Sequence, residues 1–190
     1  VATAAYLRAH YPANARVHIP GEGGLVEAMR EAGYESVEAD ADVVVVGMDR
    51  ALTYEKLKRA TYLIRQGARF IGTNADVTFP MPDGLAPGAG SILAALQAST
   101  GQQPLVIGKP EPIMFELTIT RLGAPAEKTL MVGDRLETDI VGAQRAGLRT
   151  ALVWSGVTTP QMLAASGLQP DLVYDDLRAL HRAWVGQRMG

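Results

Sequence analysis

Two short stretches carry side chains whose types and spacing could do chemistry: "VIGKPEP", residues 106–112, and "LMVGDRLETD", residues 130–139. In the second, an apolar run ends in Gly133 and Asp134, and Asp139 follows within the same stretch. An aspartate at the end of a buried strand is a poor core residue, because an unpaired buried carboxylate is costly. It is a good ligand for a hard cation such as Mg2+, which takes oxygen ligands in octahedral geometry and keeps several waters. Gly133 is expected to let the chain turn sharply at the sheet edge and present that carboxylate outward. Thr138 or Asp139 is placed to cap the following helix, whose positive end favours a carboxylate. For Asp139, capping and support of a metal are both open at this point. Lys109 closes the preceding predicted strand and is restricted by Pro110 and Pro112, the latter near the first position of a helix. Its ammonium group could balance carboxylates around a metal and hold a phosphoryl oxygen as a point charge.

These residues need a sheet to position them. "DVVVVGM" (residues 42–48) is a continuous β-branched run of the kind buried on both faces of a parallel sheet. Shorter runs, "RVHIP", "RFIGTN", "PLVIG", "TLMVG", "TALVW" and "DLVY", read as further strands. Between them lie helical patterns. "LTYEKLKRATYLIRQG" has Leu57, Ala60 and Ile64 on one face, Thr53 as N-cap and Gly67 as stop. "GGLVEAMREAG", "SILAALQAST", "PIMFELTITRLG", "TDIVGAQRAG", "TPQMLAASG" and "DDLRALHRAWV" alternate with the strands, and the chain opens on a helix over residues 2–10. Pro- and Gly-rich "DVTFPMPDGLAPGAG" (residues 76–90) reads as an irregular connection. Regular alternation predicts an α/β fold with parallel sheets and right-handed crossovers. In such folds ligands bind beyond the carboxyl ends of the strands, where both Lys109 and Asp134 fall.

Composition removes several classes of function. With 18 basic and 20 acidic residues and a net charge of −2, the chain is not expected to bind nucleic acid or an anionic membrane. The locally basic end, "RALHRAWVGQRMG", reads as a solvated helix face. There is no cysteine, which excludes disulfides and thiolate metal sites, and His10, His18 and His181 have no zinc-like spacing. No apolar run approaches the roughly 20 residues of a membrane span, and no signal peptide opens the chain, so a cytoplasmic protein is expected. "PGEGGL" lacks the nucleotide-loop patterns, and "WSGV" is not a nucleophile elbow.

Over "GKPEPIMFELTITRLG" and "TLMVGDRLETDIVGAQRAGLRTALVWSGV" the sequence resembles the haloacid dehalogenase (HAD) superfamily. More narrowly, it resembles the p-nitrophenyl phosphatase and phosphoglycolate or nucleotide phosphatase subfamily, which carries a large α/β cap. The combination of G-K-P and G-D-x-x-x-T-D carries the resemblance, and the segments before residue 104 are similar to the cap. The resemblance implies a Rossmann-like core half plus a smaller cap domain. Residues 1–14 would form a helix leading from core to cap, residues 15–103 the cap, and residues 104–190 the C-terminal half of the core. It implies Mg2+-dependent hydrolysis of a small phosphorylated metabolite through an aspartyl-phosphate. Lys109 would orient nucleophile and phosphate, Asp134 would ligate Mg2+, Asp139 would support the metal shell, and Thr73, Asn74 and Asp76 would contact substrate.

The family's D-x-D-G strand end, source of the nucleophile, has no counterpart here. The close pair Asp40 and Asp42 precedes a strand instead of ending one. The nucleophile is therefore expected upstream of Val1, the chain being an N-terminally truncated portion of a longer phosphatase that is inactive by itself. The alternative is a catalytically inactive regulatory protein that binds phosphorylated ligands without turnover. The cap also offers a surface for a homodimer.

Overall fold

The computed structural model describes residues 2–186; the last four residues of the basic C-terminal run, 187–190, lie outside them. The chain divides into two units, Val1–Gly108 and Lys109–Gly190.

In the first unit, α1 (Ala2–His10) leads into β1 (Val17–His18), α2 (Gly23–Glu31), β2 (Val43–Val46), α3 (Tyr54–Arg65) and β3 (Arg69–Gly72). A pair of strands, β4 (Thr78–Met81) and β5 (Gly84–Pro87), precedes α4 (Ala89–Thr100) and β6 (Leu105–Val106). The sheet runs β1-β2-β3-β6, every neighbour parallel, so each step is a crossover. All four valines of β2 are buried, as a strand covered on both faces requires. Val44, Val46, Leu63, Ile64, Phe70 and Leu93 form part of one contiguous apolar cluster between sheet and helices. The caps follow the sequence: the Thr53 side chain accepts from the Lys56 amide at 3.3 Å, and Gly67 follows α3 at a φ of 111°.

The Pro/Gly-rich stretch departs from expectation. It is an antiparallel ribbon, Thr78 pairing with Pro87 and Met81 with Gly84. Both strands are edges of a two-stranded sheet, where proline costs no ladder bond if its nitrogen faces outward. Pro82-Asp83-Gly84 is a turn signature between two extended runs.

The second unit opens with Lys109 and holds α5 (Ile113–Leu122), a short 3-10 turn at Ala126–Lys128, and β7 (Leu130–Gly133). A wide π-type turn, Leu136–Ile140, runs directly into α6 (Val141–Arg145). Then follow β8 (Arg149–Val153), α7 (Pro160–Ser166), β9 (Leu172–Tyr174) and α8 (Leu177–Gly186). The parallel sheet is ordered β7-β8-β9. Beyond its first residue β8 is buried throughout, whereas Leu130, Met131 and Val132 of β7 are half-buried. Phe115, Ala143 and Leu148 pack as one small cluster, and Leu136, Ile140 and Leu152 as another.

Candidate active site

Lys109, Asp134 and Asp139 meet in one hydrogen-bonded cluster beyond the C-terminal end of β7. Lys109 donates from Nζ to Asp139 Oδ1 at 2.7 Å. The Asp139 side chain is 5% exposed and that of Lys109 40%, so a buried carboxylate is paired with a cation that still reaches solvent. Asp139 Oδ2 accepts from the backbone amides of Asp134 and Arg135, each at 3.1 Å. A buried carboxylate with a cation and two amides on it meets the condition under which such a charge can be kept.

Local backbone geometry explains how Asp139 reaches these partners. The amides of Asp139 and Ile140 both donate to the Arg135 carbonyl, at 3.0 and 3.2 Å, which widens the first turn to i→i+5 spacing. Such single wide turns occur frequently at functional sites. Here the turn lays the Asp139 side chain back over the residues at the end of β7. The expected N-cap is thereby corrected. The regular helix starts after Ile140, neither Thr138 nor Asp139 caps it, and Asp139 instead satisfies the amides at the strand end. The role of Gly133 changes too. Its φ is not positive, so no sharp turn depends on it, but a Cβ there would collide with the Asp139 carboxylate. Glycine is needed for close approach.

Asp134 itself is half-buried. Its Oδ2 accepts from the Val157 amide at 2.9 Å, and its carbonyl from the Thr158 amide at 3.1 Å. Among the described residues Oδ1 has no protein donor. No group of three or more His, Cys, Asp or Glu is gathered among the described residues. The donor set thus does not make an all-protein metal cage. It does fit Mg2+, which is commonly held by one or two carboxylates with water and phosphate completing the octahedron. Asp134 offers an unengaged oxygen. Asp139 has both oxygens engaged and serves first to hold Lys109 and the strand end.

Thr73, Asn74 and Asp76 lie beyond the C-terminal end of β3, in the first unit, and form a tight local structure of their own. The Thr73 amide donates to the Val46 carbonyl at 2.9 Å, and the Asp76 amide to Asn74 Oδ1 at 3.1 Å. Gly88 and Gly90 pack against the carbonyls of Asp76 and Ala75, leaving no room for a side chain. Thr73 and Asn74 are half-buried and Asp76 is exposed. The same end of the first sheet carries two ion pairs that the sequence did not announce. Lys56 Nζ meets the buried Asp49 at 2.6 Å. Arg50 grips Glu22 through Nε at 2.6 Å and Nη2 at 3.2 Å, which holds the Glu22 carboxyl below its ordinary range. The positions after β2 and before α2 are the signal that marks Asp49, Arg50 and Glu22, whereas Lys56 lies in the first turn of α3. The other contribution missed from sequence is the turn after β8, whose Val157 amide holds Asp134.

A parallel α/β sheet with a lysine–carboxylate cluster at its carboxyl edge defines a class, that of α/β proteins whose ligand site lies beyond the strand ends. The comparisons with known proteins agree. The model of the HAD-hydrolase-like family matches residues 106–180. The 5'-nucleotidase YutF of Bacillus subtilis is 43% identical over 177 residues, which are 93% of this chain and 69% of that protein. The dihydroxyacetone phosphatase of Corynebacterium glutamicum is 38% identical over 96% of this chain and 66% of its own length. Among solved structures, the p-nitrophenyl phosphatase from Archaeoglobus fulgidus superposes with a TM-score of 0.90 at 38% identity, over 96% of this chain and 72% of that one. The chain belongs to the HAD-like phosphatases, and it spans about two thirds of the length of these relatives.

Proposed function

We propose that the second unit carries the cation- and phosphate-holding part of a phosphomonoester hydrolase whose substrate is a small phosphorylated metabolite. The observation that carries this reading is the Lys109–Asp139–Asp134 cluster. An ammonium group has three donors, and only one of those on Lys109 is given to Asp139. The others are available to a phosphoryl oxygen. Asp139 fixes that ammonium and neutralises part of its charge, so lysine is positioned without being lost to solvent. Asp134 would hold Mg2+ through Oδ1. When bound, the cation supplies charge neutralisation between an anionic nucleophile and an anionic ester.

The nucleophilic carboxylate is assigned to a segment upstream of Val1. It would attack phosphorus in line, expel the alcohol and form an aspartyl-phosphate that water then cleaves. The one D-x-D pair in the chain, Asp40 and Asp42, supports this assignment. Asp42 accepts from the Arg16 amide at 2.8 Å and Asp40 is paired with Arg16 at 3.5 Å, both before β2 in the first unit. They serve the N-terminal edge of that sheet. In this reading the first unit is the cap, with Thr73, Asn74 and Asp76 as its substrate-facing residues. The relatives' names, a 5'-nucleotidase, a dihydroxyacetone phosphatase and a p-nitrophenyl phosphatase, support a small phosphomonoester as the substrate class.

The test is hydrolysis of p-nitrophenyl phosphate with Mg2+, by residues 1–190 and by the chain extended upstream to an in-frame start codon. The extended protein should turn over, with Lys109→Ala and Asp134→Asn each lowering kcat by about 10²–10³-fold. Residues 1–190 should not. Activity in residues 1–190 that disappears with Asp134→Asn would place the nucleophile inside the chain and overturn that assignment. An extended protein that binds phosphate but never turns over would favour the inactive regulatory reading.

A further inference from the structure

Between β8 and α7 the chain makes a turn that touches Asp134 at three points. The Val157 amide donates to its Oδ2 at 2.9 Å, and the Thr158 amide to its backbone carbonyl at 3.1 Å. At Gly156 a Cβ would overlap the Asp134 carboxylate itself, its Cβ, Cγ and Oδ2 included. Gly156 has no positive φ, so its lack of a side chain answers to space and not to backbone conformation. Thr158, next along, is 2% exposed, and the turn is seated at that end.

A carboxylate on a half-exposed aspartate normally rotates, and either oxygen can face a ligand. Here the carboxylate fills the space a side chain on residue 156 would need, and one oxygen is committed to an amide. We propose that the turn at residues 155–158 is the positioning element of Asp134, with Gly156 and the Val157 amide selecting Oδ1 as the oxygen that meets the cation. The inference rests on the reading of Asp134 as a cation ligand and adds residues to it. Gly156 and Val157 act through Asp134 and touch no substrate. Outer-shell groups of this kind typically govern metal affinity by 10–100-fold.

The experiment is a titration of the 190-residue protein with Mn2+, followed by electron paramagnetic resonance of the free ion, with Mg2+ as competitor. Wild type should bind and Asp134→Asn should not. Gly156→Ala should bind about 10–100-fold more weakly while its thermal transition stays cooperative. A Gly156→Ala curve that overlays wild type, while Asp134→Asn has lost binding, overturns the positioning role and leaves the cation reading standing. Binding unchanged in Asp134→Asn overturns both. Should Gly156→Ala fail to fold, the wild-type protein still decides. The Val157 amide resonance must move when Mg2+ is added, because the carboxylate that accepts its proton changes electrostatic surroundings. A resonance that stays in place overturns the proposal.

Discussion

The two units are built by the same rule and buried to different depths. In the first, the central strand Val43–Val46 has every side chain inside, and helices on the sheet join one continuous apolar cluster. In the second, β8 is buried but β7 and β9 are not. Leu130, Met131 and Val132 stay half-exposed, Val173 is exposed, and the apolar clusters are small and separate. On its outer side β7 pairs with no strand among the described residues. Yet Lys109, Asp134 and Asp139 gather at the end of this strand. Sheet burial alone cannot make that site rigid. Its geometry comes instead from charge-assisted hydrogen bonds to Asp139 and from two glycines, Gly133 and Gly156, that let carboxylates lie against backbone. The better-buried unit holds its shape by packing, and the unit with the chemistry holds its site by polar contacts.

Truncating a core side chain in each sheet gives the sharpest contrast. Ile71 in β3 is fully buried, and Ile71→Ala should cost about 3 kcal/mol in the unfolding of the first unit. Met131→Ala in β7 should cost about 1 kcal/mol or less, because the side chain is already partly in water. Urea unfolding of the two variants measures both. Native-state hydrogen exchange should also show β7 amides opening before those of β2. Equal losses, or the reverse order of exchange, would mean that β7 is as well supported as β2. Association with a second copy through the open edge would be one way to achieve that.

Next in size is Asp139→Asn. It keeps the shape but removes the charge that holds Lys109 and two amides, and about 2 kcal/mol of stability should go with it. Since Lys109 is 40% exposed, much of its own cost is relieved by water. A double-mutant cycle with Lys109→Met should therefore return a coupling of only about 1 kcal/mol. The remainder belongs to the amides of Asp134 and Arg135. A variant as stable as wild type would break the contrast from the other side, showing that the strand end needs no polar support.

How much of this was legible in sequence follows the same division. Four valines in a row can only be a buried strand, and Thr53, Gly67 and Gly101 punctuate helices for local reasons, so the first sheet could be read directly. The ribbon at Thr78–Pro87 was lost because its prolines were weighed as breakers, although Pro82-Asp83-Gly84 states its turn. Lys109, Asp134 and Asp139 could be found as polar residues at the ends of apolar runs. Their division of labour could not. It depends on a wide turn that no periodicity encodes, which swings Asp139 away from the helix N-terminus and onto the strand end. Gly156 is less legible still, since its need for glycine arises from Asp134, one strand away.

The smallest expected effect probes the inner side of the second sheet, where β8 meets β9. Asp171 accepts from the Thr150 amide at 2.7 Å and from its hydroxyl at 2.9 Å. The backbone bond first, then the side-chain bond, hold the Asp171 carboxyl below its ordinary range. Thr150 is fully buried but Asp171 is exposed, so the gain is damped by solvent. A carboxylate whose pKa is lowered by folding stabilises the fold fully above its unfolded pKa, near 4 for aspartate. That contribution fades as the pH falls through the lower folded value. Between pH 7 and 5 the thermal midpoint should therefore carry no slope from this group, and below about pH 4 it should decline. Asp171→Asn should lose that part of the acid slope and little else. An acid slope identical in wild type and variant would place the linkage elsewhere. The β8–β9 contact would then depend on its backbone ladder and apolar packing, without help from this carboxylate.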